Sequence, residues 1–265
     1  PLRTLAVATE NSVFKGRPPG YHAVNAALYA LACALFLLFA VSIPSMTPES
    51  AFAAALLFAA HHTHAETAAS VANGLADLIC AVFLFPCLAL VPRAAKSAPA
   101  AVAAAVLFAL ALLSKESAAA TAAPIFLLFL FGEDTFRAGG FFRPAAKAVI
   151  KTLPFIIVTV VFFMVRGKVI GGSMQASGWH GGSLRATALT ALSIVDDYGA
   201  MLFVPVRQCA VYITEIVNSL NGDAAAGAVI IAATAAVCIA MLRKAPAVSI
   251  AAIAVGSETP RNSRL

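Results

Sequence analysis

Long apolar runs alternate along this chain with short polar connectors. A helix rises ~1.5 Å per residue and a bilayer's hydrocarbon core is ~30 Å thick, so about 20 apolar residues make one crossing. Apolar windows fall near residues 23–43, 51–65, 68–91, 98–114, 118–132, 152–166, 187–206 and 225–242, with a weaker one at 246–256. Several are shorter than a full crossing and must take in flanking residues, tilt, or re-enter without spanning. The pattern predicts an all-α fold, a polytopic helical membrane protein with eight or nine apolar segments. Ahead of the first run, "PLRTLAVATENSVFKGRPPGYHAVN" is amphipathic. Leu2, Leu5, Val13 and Phe14 suit a lipid boundary while Arg3, Thr4, Glu10 and Asn11 stay wet, as in an interfacial helix. The expected organisation is an interfacial helix and turn over 1–20, a multi-span domain over 21–256 and a polar tail over 257–265.

Composition strengthens the membrane reading. Hydrophobic residues make up 61% of the 265 and charged residues 11%, against about 25% charged in soluble domains. The 18 Lys and Arg exceed the 12 Asp and Glu, but they are scattered in connectors. They form no stripe with interleaved aromatics, which excludes nucleic acid as the expected partner. The excess suits loops that face anionic lipid or a lipid-linked phosphate. Alanine is abundant, and its small side chain lets helices approach closely where lipid supplies no hydrophobic drive between them. Cys33, Cys80, Cys87, Cys209 and Cys238 lie in or beside apolar segments without CxxC pairing or metal-ligand spacing, as packing residues do. With no initiator Met and no signal-peptide pattern, the chain reads as a fragment.

Loop charges set an expected orientation. Arg93 and Lys96, then Arg137, Arg143, Lys147 and Lys151, then Arg243 and Lys244 occupy three connectors. Placing these in the cytoplasm makes "HHTHAE", "SKES" and the loop 167–186 non-cytoplasmic. The 187–222 stretch then has to dip and return, with "IVDDYGAMLFVPV" as an interrupted or interfacial helix.

Candidate chemistry gathers where ionisable groups end apolar runs, because such groups inside a membrane are functional by default. In "HHTHAE", a helix would put His61 and His64 on one face and His62 and Glu66 on another. The HxxHxE spacing does not match HExxH, so no metal is expected. Two readings remain: an acid/base or phosphate-contacting cluster at a cleft mouth, or a wet helix end whose imidazoles snorkel. Lys115 in "SKES" is either a phosphate partner or an interfacial lysine paired with Glu116. Arg166, Lys168 and Arg185 flank a Gly-rich stretch that reads as a flexible loop or an acceptor site. Asp196 and Asp197, ~100° apart on a helix, do not converge on one atom. Trp179 is expected to anchor at the interface.

Three elements recur in order: "GYHAVNAALYAL", "LLFAAHHTHAETAASVANGLADLICAVF" and "LFALALLSKESAAATAAPIFLLFLF". Together they resemble the membrane domain of the transmembrane and tetratricopeptide-repeat O-mannosyltransferases, in the glycosyltransferase C superfamily. That family reads G-x-H-x-x-N, H-P-x-H-x-E-A-V with G-R-x-D soon after, and L-x-S-K-E. Gly20, His22 and Asn25 match the first element; His61, His64 and Glu66 the second; Gly74 and Asp77 its continuation; and Ser114, Lys115 and Glu116 the third. "YGAMLFVPVRQCAVY" is a weaker echo of the family's L-L-x-P segment. His62 stands where the family has Pro, Leu75 where it has Arg, and the interval from Glu66 to Asp77 is one residue longer. The superfamily's acidic residue in the first luminal loop and the tetratricopeptide repeats have no counterpart in these 265 residues.

The resemblance implies transfer of a sugar, mannose in the family, from a polyprenyl- or dolichyl-phosphate donor to Ser or Thr hydroxyls of an acceptor protein. It implies an endoplasmic-reticulum membrane, or the inner membrane of a bacterium, and no cofactor beyond the lipid-linked donor. On this reading His61, His64, Lys115, Glu116 and Asp77 hold the donor and its phosphate, with His22 and Asn25 as further motif residues. Glu66 is the candidate catalytic carboxylate, fixing a histidine tautomer or replacing the absent base. A non-catalytic scaffold of the same fold and a polytopic transporter are the rivals; no internal repeat favours the transporter.

Overall fold

The computed structural model describes residues 1–43, 46–71, 73–131, 142–170, 179, 181–203 and 215–237. Among the described residues every regular element is a helix and none is a strand. In chain order they are α1 (Leu2–Phe14), α2 (Pro18–Ser42), α3 (Pro48–Ala60), α4 (His64–Ala69), α5 (Gly74–Ala94), α6 (Ala98–Ser114), a 3-10 turn (Glu116–Thr121), α7 (Ala122–Phe131), α8 (Phe142–Ile170) and α9 (Leu184–Phe203). Helix α10 (Gly222–Val237) follows.

The local causes are readable. Proline occupies the first turn of α2, α3 and α6, where its missing N–H would have had no partner. The Thr47 hydroxyl caps α3 by accepting from the Ser50 N–H at 3.3 Å. Helix α1 stops where Lys15 and Gly16 turn left-handed, with φ of 50° and 80°.

Among the described residues three helices are long and apolar enough to cross a membrane: Pro18–Ser42, Gly74–Ala94 and Arg143–Val169. The second apolar window is shorter than expected. Helix α3 has 13 residues, a reach of ~20 Å, and it ends before the histidines. The third window overlaps the separate short helix α4 only at residues 68 and 69, and its own helix, α5, begins at Gly74. The window at 152–166 lengthens to the 29 residues of α8, which places Arg166 and Lys168 on a helix where a loop was expected. Helix α9 runs unbroken through Asp196 and Asp197 to Phe203, so the interruption expected there does not occur within it. The part of the L-L-x-P echo from 204 to 212, the 246–256 window, the 257–265 tail, Cys209 and Cys238 lie outside the described residues.

The chain divides into two compact units, Pro1–Gly132 with Ala146–Ala176, and Glu133–Ala145 with Ser177–Leu265. In the first, α5 packs between α2 and α6. Small residues face inward: Ala32 and Ala40 of α2, Ala51 and Ala55 of α3, Ala104 and Ala111 of α6 are buried. Large ones on the same helices face out, among them Leu38, Val41, Phe52, Leu57, Val102 and Val106. Phe108 and Leu112 of α6 are buried as well, so the distinguishing feature is the large apolar side chains left outside, which in water would forgo the burial that drives a soluble bundle. Phe108 and Phe155, the largest fully buried side chains among the described residues, meet edge to face at 5.5 Å between ring centroids. Cys80 and Cys87 are buried free thiols on α5.

Close backbone approach is built in at glycine. A Cβ on Gly74 would stand 1.9 Å from the Thr67 carbonyl oxygen, so the α4–α5 turn admits no side chain there. In the second unit a Cβ on Gly227 of α10 would stand 1.8 Å from the Leu192 oxygen of α9. The buried Thr190 hydroxyl accepts from the Val217 N–H at 3.0 Å in the same unit. Trp179 is exposed.

Gly74→Ala and Gly227→Ala are each expected to destabilise the chain by about 1–3 kcal/mol through overpacking against backbone. Thermal unfolding in detergent reads this, with Gly167→Ala, which meets nothing within 4 Å, as the neutral control.

Candidate functional site

Two polar clusters emerge on the first unit. The first is the turn between α3 and α4. Helix α3 ends because side chains take over its last carbonyls: the Tyr29 hydroxyl donates to Ala59 O at 2.8 Å, and His64 Nδ1 lies 2.8 Å from Phe58 O. A carbonyl only accepts, so His64 Nδ1 carries the proton and Nε2 is the open acceptor. The His61 N–H also donates to Phe58 O, at 3.3 Å. His61 Nδ1 accepts from the Thr63 hydroxyl at 2.8 Å and from the Thr63 N–H at 3.4 Å. The rings of His61 and His62 stack at 4.6 Å, and those of His61 and His64 lie 5.7 Å apart. His64 rests on Phe58, with ring centroids 4.4 Å apart. Burial lowers its pKa from the ordinary 6.5, against the raising effect of the Phe58 hydrogen bond, and His61 and His62 lower it further.

Asn25 ties this turn to α2. It is 1% exposed, and its amide donates to Ser70 O at 3.0 Å and Ala68 O at 3.4 Å. Those carbonyls lie at the end of the short α4, where a helix has no partners of its own to offer, and Ser70 O also accepts from the Gly74 N–H at 3.0 Å.

The second cluster lies where α6 gives way to the 3-10 turn. Lys115 pairs with Asp77 in the first turn of α5, and Glu116 with Arg166 of α8 at 2.8 Å. Both pairs are partly exposed, so each contributes on the order of 1 kcal/mol or less. Beside them is a hollow of about 620 Å³. Its wall is apolar, with Leu112, Leu113, Phe162, Val165 and Val169, and its rim carries Lys115, Glu116, Arg166, Arg3, Asn73 and Ser114. Of the three cationic side chains at this hollow, Lys115 and Arg166 are paired with carboxylates.

The sequence-predicted residues therefore divide. Lys115, Glu116 and Asp77 come together. His61 and His64 come together elsewhere, and they do not line the Lys115 hollow; nor does Glu66, which is exposed on α4. His61 and His64 share no helix face, because the chain leaves α3 in extended conformation at His61, with φ −69° and ψ 125°. Asn25 is structural to the turn, and His22 is exposed. Arg166 partners Glu116, a role that reading Lys115 as the partner of Glu116 concealed. Tyr29 was missed, although it stands four residues after Asn25 on the same face of α2. Among the described residues no group of three or more His, Cys, Asp or Glu is placed to hold a metal ion. No protein-family model, curated protein or solved structure matches the chain.

His64 gives a pH signature. Its folded pKa lies below its unfolded value of 6.5, so the unfolded chain takes up the proton first as pH falls. Stability is full above 6.5 and is lost as pH drops through the depressed value. Unfolding in detergent across pH 7.5 to about 4 should show this loss for the native chain and a flatter profile for His64→Gln. Asn25→Leu, which removes the amide from the half-buried Ala68 O and Ser70 O while Ser70 O keeps the Gly74 N–H, should cost about 1 kcal/mol in the same assay.

Proposed function

We propose that this chain is the membrane domain of a lipid-dependent glycosyltransferase of the glycosyltransferase C type. It moves a sugar, mannose by resemblance, from a polyprenyl- or dolichyl-phosphate donor to Ser or Thr hydroxyls of an acceptor protein. Its helices cross the bilayer several times, in the endoplasmic-reticulum membrane or a bacterial inner membrane, with the Lys115 hollow on the non-cytoplasmic side. One observation carries the reading. The Lys115–Asp77 pair joins the S-K-E element to the G-x-x-D element, which are 38 residues apart in sequence, beside a hollow with an apolar wall and a basic rim. The outward-facing large side chains of α2, α3 and α6 support the bilayer as surroundings.

In the reaction the acceptor oxygen attacks the anomeric carbon, the bond from that carbon to the phosphate oxygen breaks, and a carboxylate takes the hydroxyl proton. Lys115 and Arg166 stabilise charge on the departing lipid phosphate, as fixed cations do where charge develops. Glu66 is the candidate catalytic carboxylate, fixing a histidine tautomer or standing in for the superfamily's first-loop acid as base.

A second reading, a non-catalytic relative of the same fold, is favoured by a specific observation: Glu116 and Asp77 are each held by a cation, and Glu66 is outside the hollow. The intact protein in proteoliposomes, given radiolabelled dolichyl-phosphate mannose and a Ser/Thr peptide, separates the two. Transfer that falls roughly 10²-fold in Lys115→Met and is abolished in Glu66→Gln supports the enzyme. Donor binding without transfer supports the relative. Wild-type turnover in both variants removes the site assignment, and flux of sugar without transfer makes the protein a transporter.

A further inference from the structure

Glu10 was expected to stay wet on α1, yet it keeps only 7% of its surface. Its Oε1 is buried and has no hydrogen-bond partner. It faces a hollow of about 490 Å³ between α1, α2 and α5, separate from the Lys115 hollow. Leu28, Leu75, Ile79, Phe83 and Phe14 are among the lining residues. The other polar lining residue, Thr9, already donates its hydroxyl to Leu5 O at 2.9 Å, and no Lys, Arg or His is among the lining residues.

A buried carboxylate oxygen without a partner in apolar surroundings is unfavourable, and buried polar atoms are ordinarily hydrogen-bonded. Protonation would remove the charge but leave the oxygen without a hydrogen bond. A bound ammonium answers both needs, by donating to the oxygen and cancelling its charge. The remaining space, within the ~300–1,000 Å³ usual for small-molecule sites, offers only apolar contact, so the rest of the ligand is an alkyl body. We infer that this hollow is a binding site for a cationic amphiphile, an alkyl chain with an ammonium head, and that the Glu10 carboxylate is its counter-ion. Burial also raises the Glu10 pKa, the direction that a nearby cation would reverse. The inference is independent of what happens at the Lys115 hollow.

Photo-cross-linking of the intact chain in phosphatidylcholine nanodiscs tests it, with diazirine-bearing dodecylamine, dodecanol and dodecanoic acid as probes. The amine should label peptides of α1, α2 and α5 about tenfold more than the alcohol or acid. Glu10→Gln should bring amine labelling down to the level of the alcohol, and Glu10→Asp should retain it. Equal labelling by the three probes on the native chain overturns the inference. So does native-level amine labelling in Glu10→Gln. The three-probe comparison decides even if the variant does not fold.

Discussion

The close approach of α5 to its neighbours is the constraint from which the rest follows. Three of the described helices are long and apolar enough to cross a membrane, and helices of that kind associate in lipid by packing surfaces that fit. Alanines on α2, α3 and α6 and Gly74 at the head of α5 provide that fit. Only because the Gly74 backbone can lie against the Thr67 carbonyl does the α4–α5 turn sit tightly enough for one Asn25 amide to reach both Ala68 O and Ser70 O. Only because α5 lies along α6 does Asp77, in the first turn of one, meet Lys115 at the end of the other.

Polar groups in such a bundle are few, and they act as cross-links between elements distant in sequence. Tyr29 and His64 seal the end of α3, Asn25 seals α4, and Arg166 fastens α8 to the Glu116 turn. Each uses a side chain to satisfy a backbone group or charge that water would otherwise serve. Buried polar groups must find partners somewhere, and a short helix ended inside a bundle creates several at once. The histidine turn thus has a structural explanation that stands whatever chemistry it performs.

Helix type and most helix positions were legible in the sequence, because a 61% hydrophobic chain with polar punctuation leaves little else to form. Boundaries were legible where proline opened a helix, as at Pro18, Pro48 and Pro99, or where a left-handed turn closed one, as at Lys15 and Gly16. The end of α3 was not, because it depends on a tyrosine 30 residues away that caps Ala59 O. Periodicity extends a helix through "AAHHTHAE" since nothing local forbids it. In the candidate site, Lys115, Glu116 and Asp77 were legible as ionisable residues in an apolar chain. Their separation from His61, His64 and Glu66 was not, since one-dimensional order says nothing of which bundle face a turn is drawn to.

The contrast between Asp77 and Glu10 shows how differently a bundle can treat a carboxylate. Asp77 sits at the N-terminal turn of α5, where the helix dipole favours negative charge, and a lysine from the neighbouring helix meets it. Its position is therefore self-consistent in the folded chain. Glu10 sits near the C-terminal end of α1, where the dipole opposes a negative charge, with Oε1 buried and unpartnered. Amphipathic reading placed it on the wet face with Arg3, Thr4 and Asn11, and those three are exposed. Glu10 alone of the four is buried, beside a hollow that Leu5 and Val13 also line while remaining largely exposed. A helix that packs against others in this sense keeps its carboxylate stable only through a proton or a cation, and the chain supplies neither from among the residues lining that hollow.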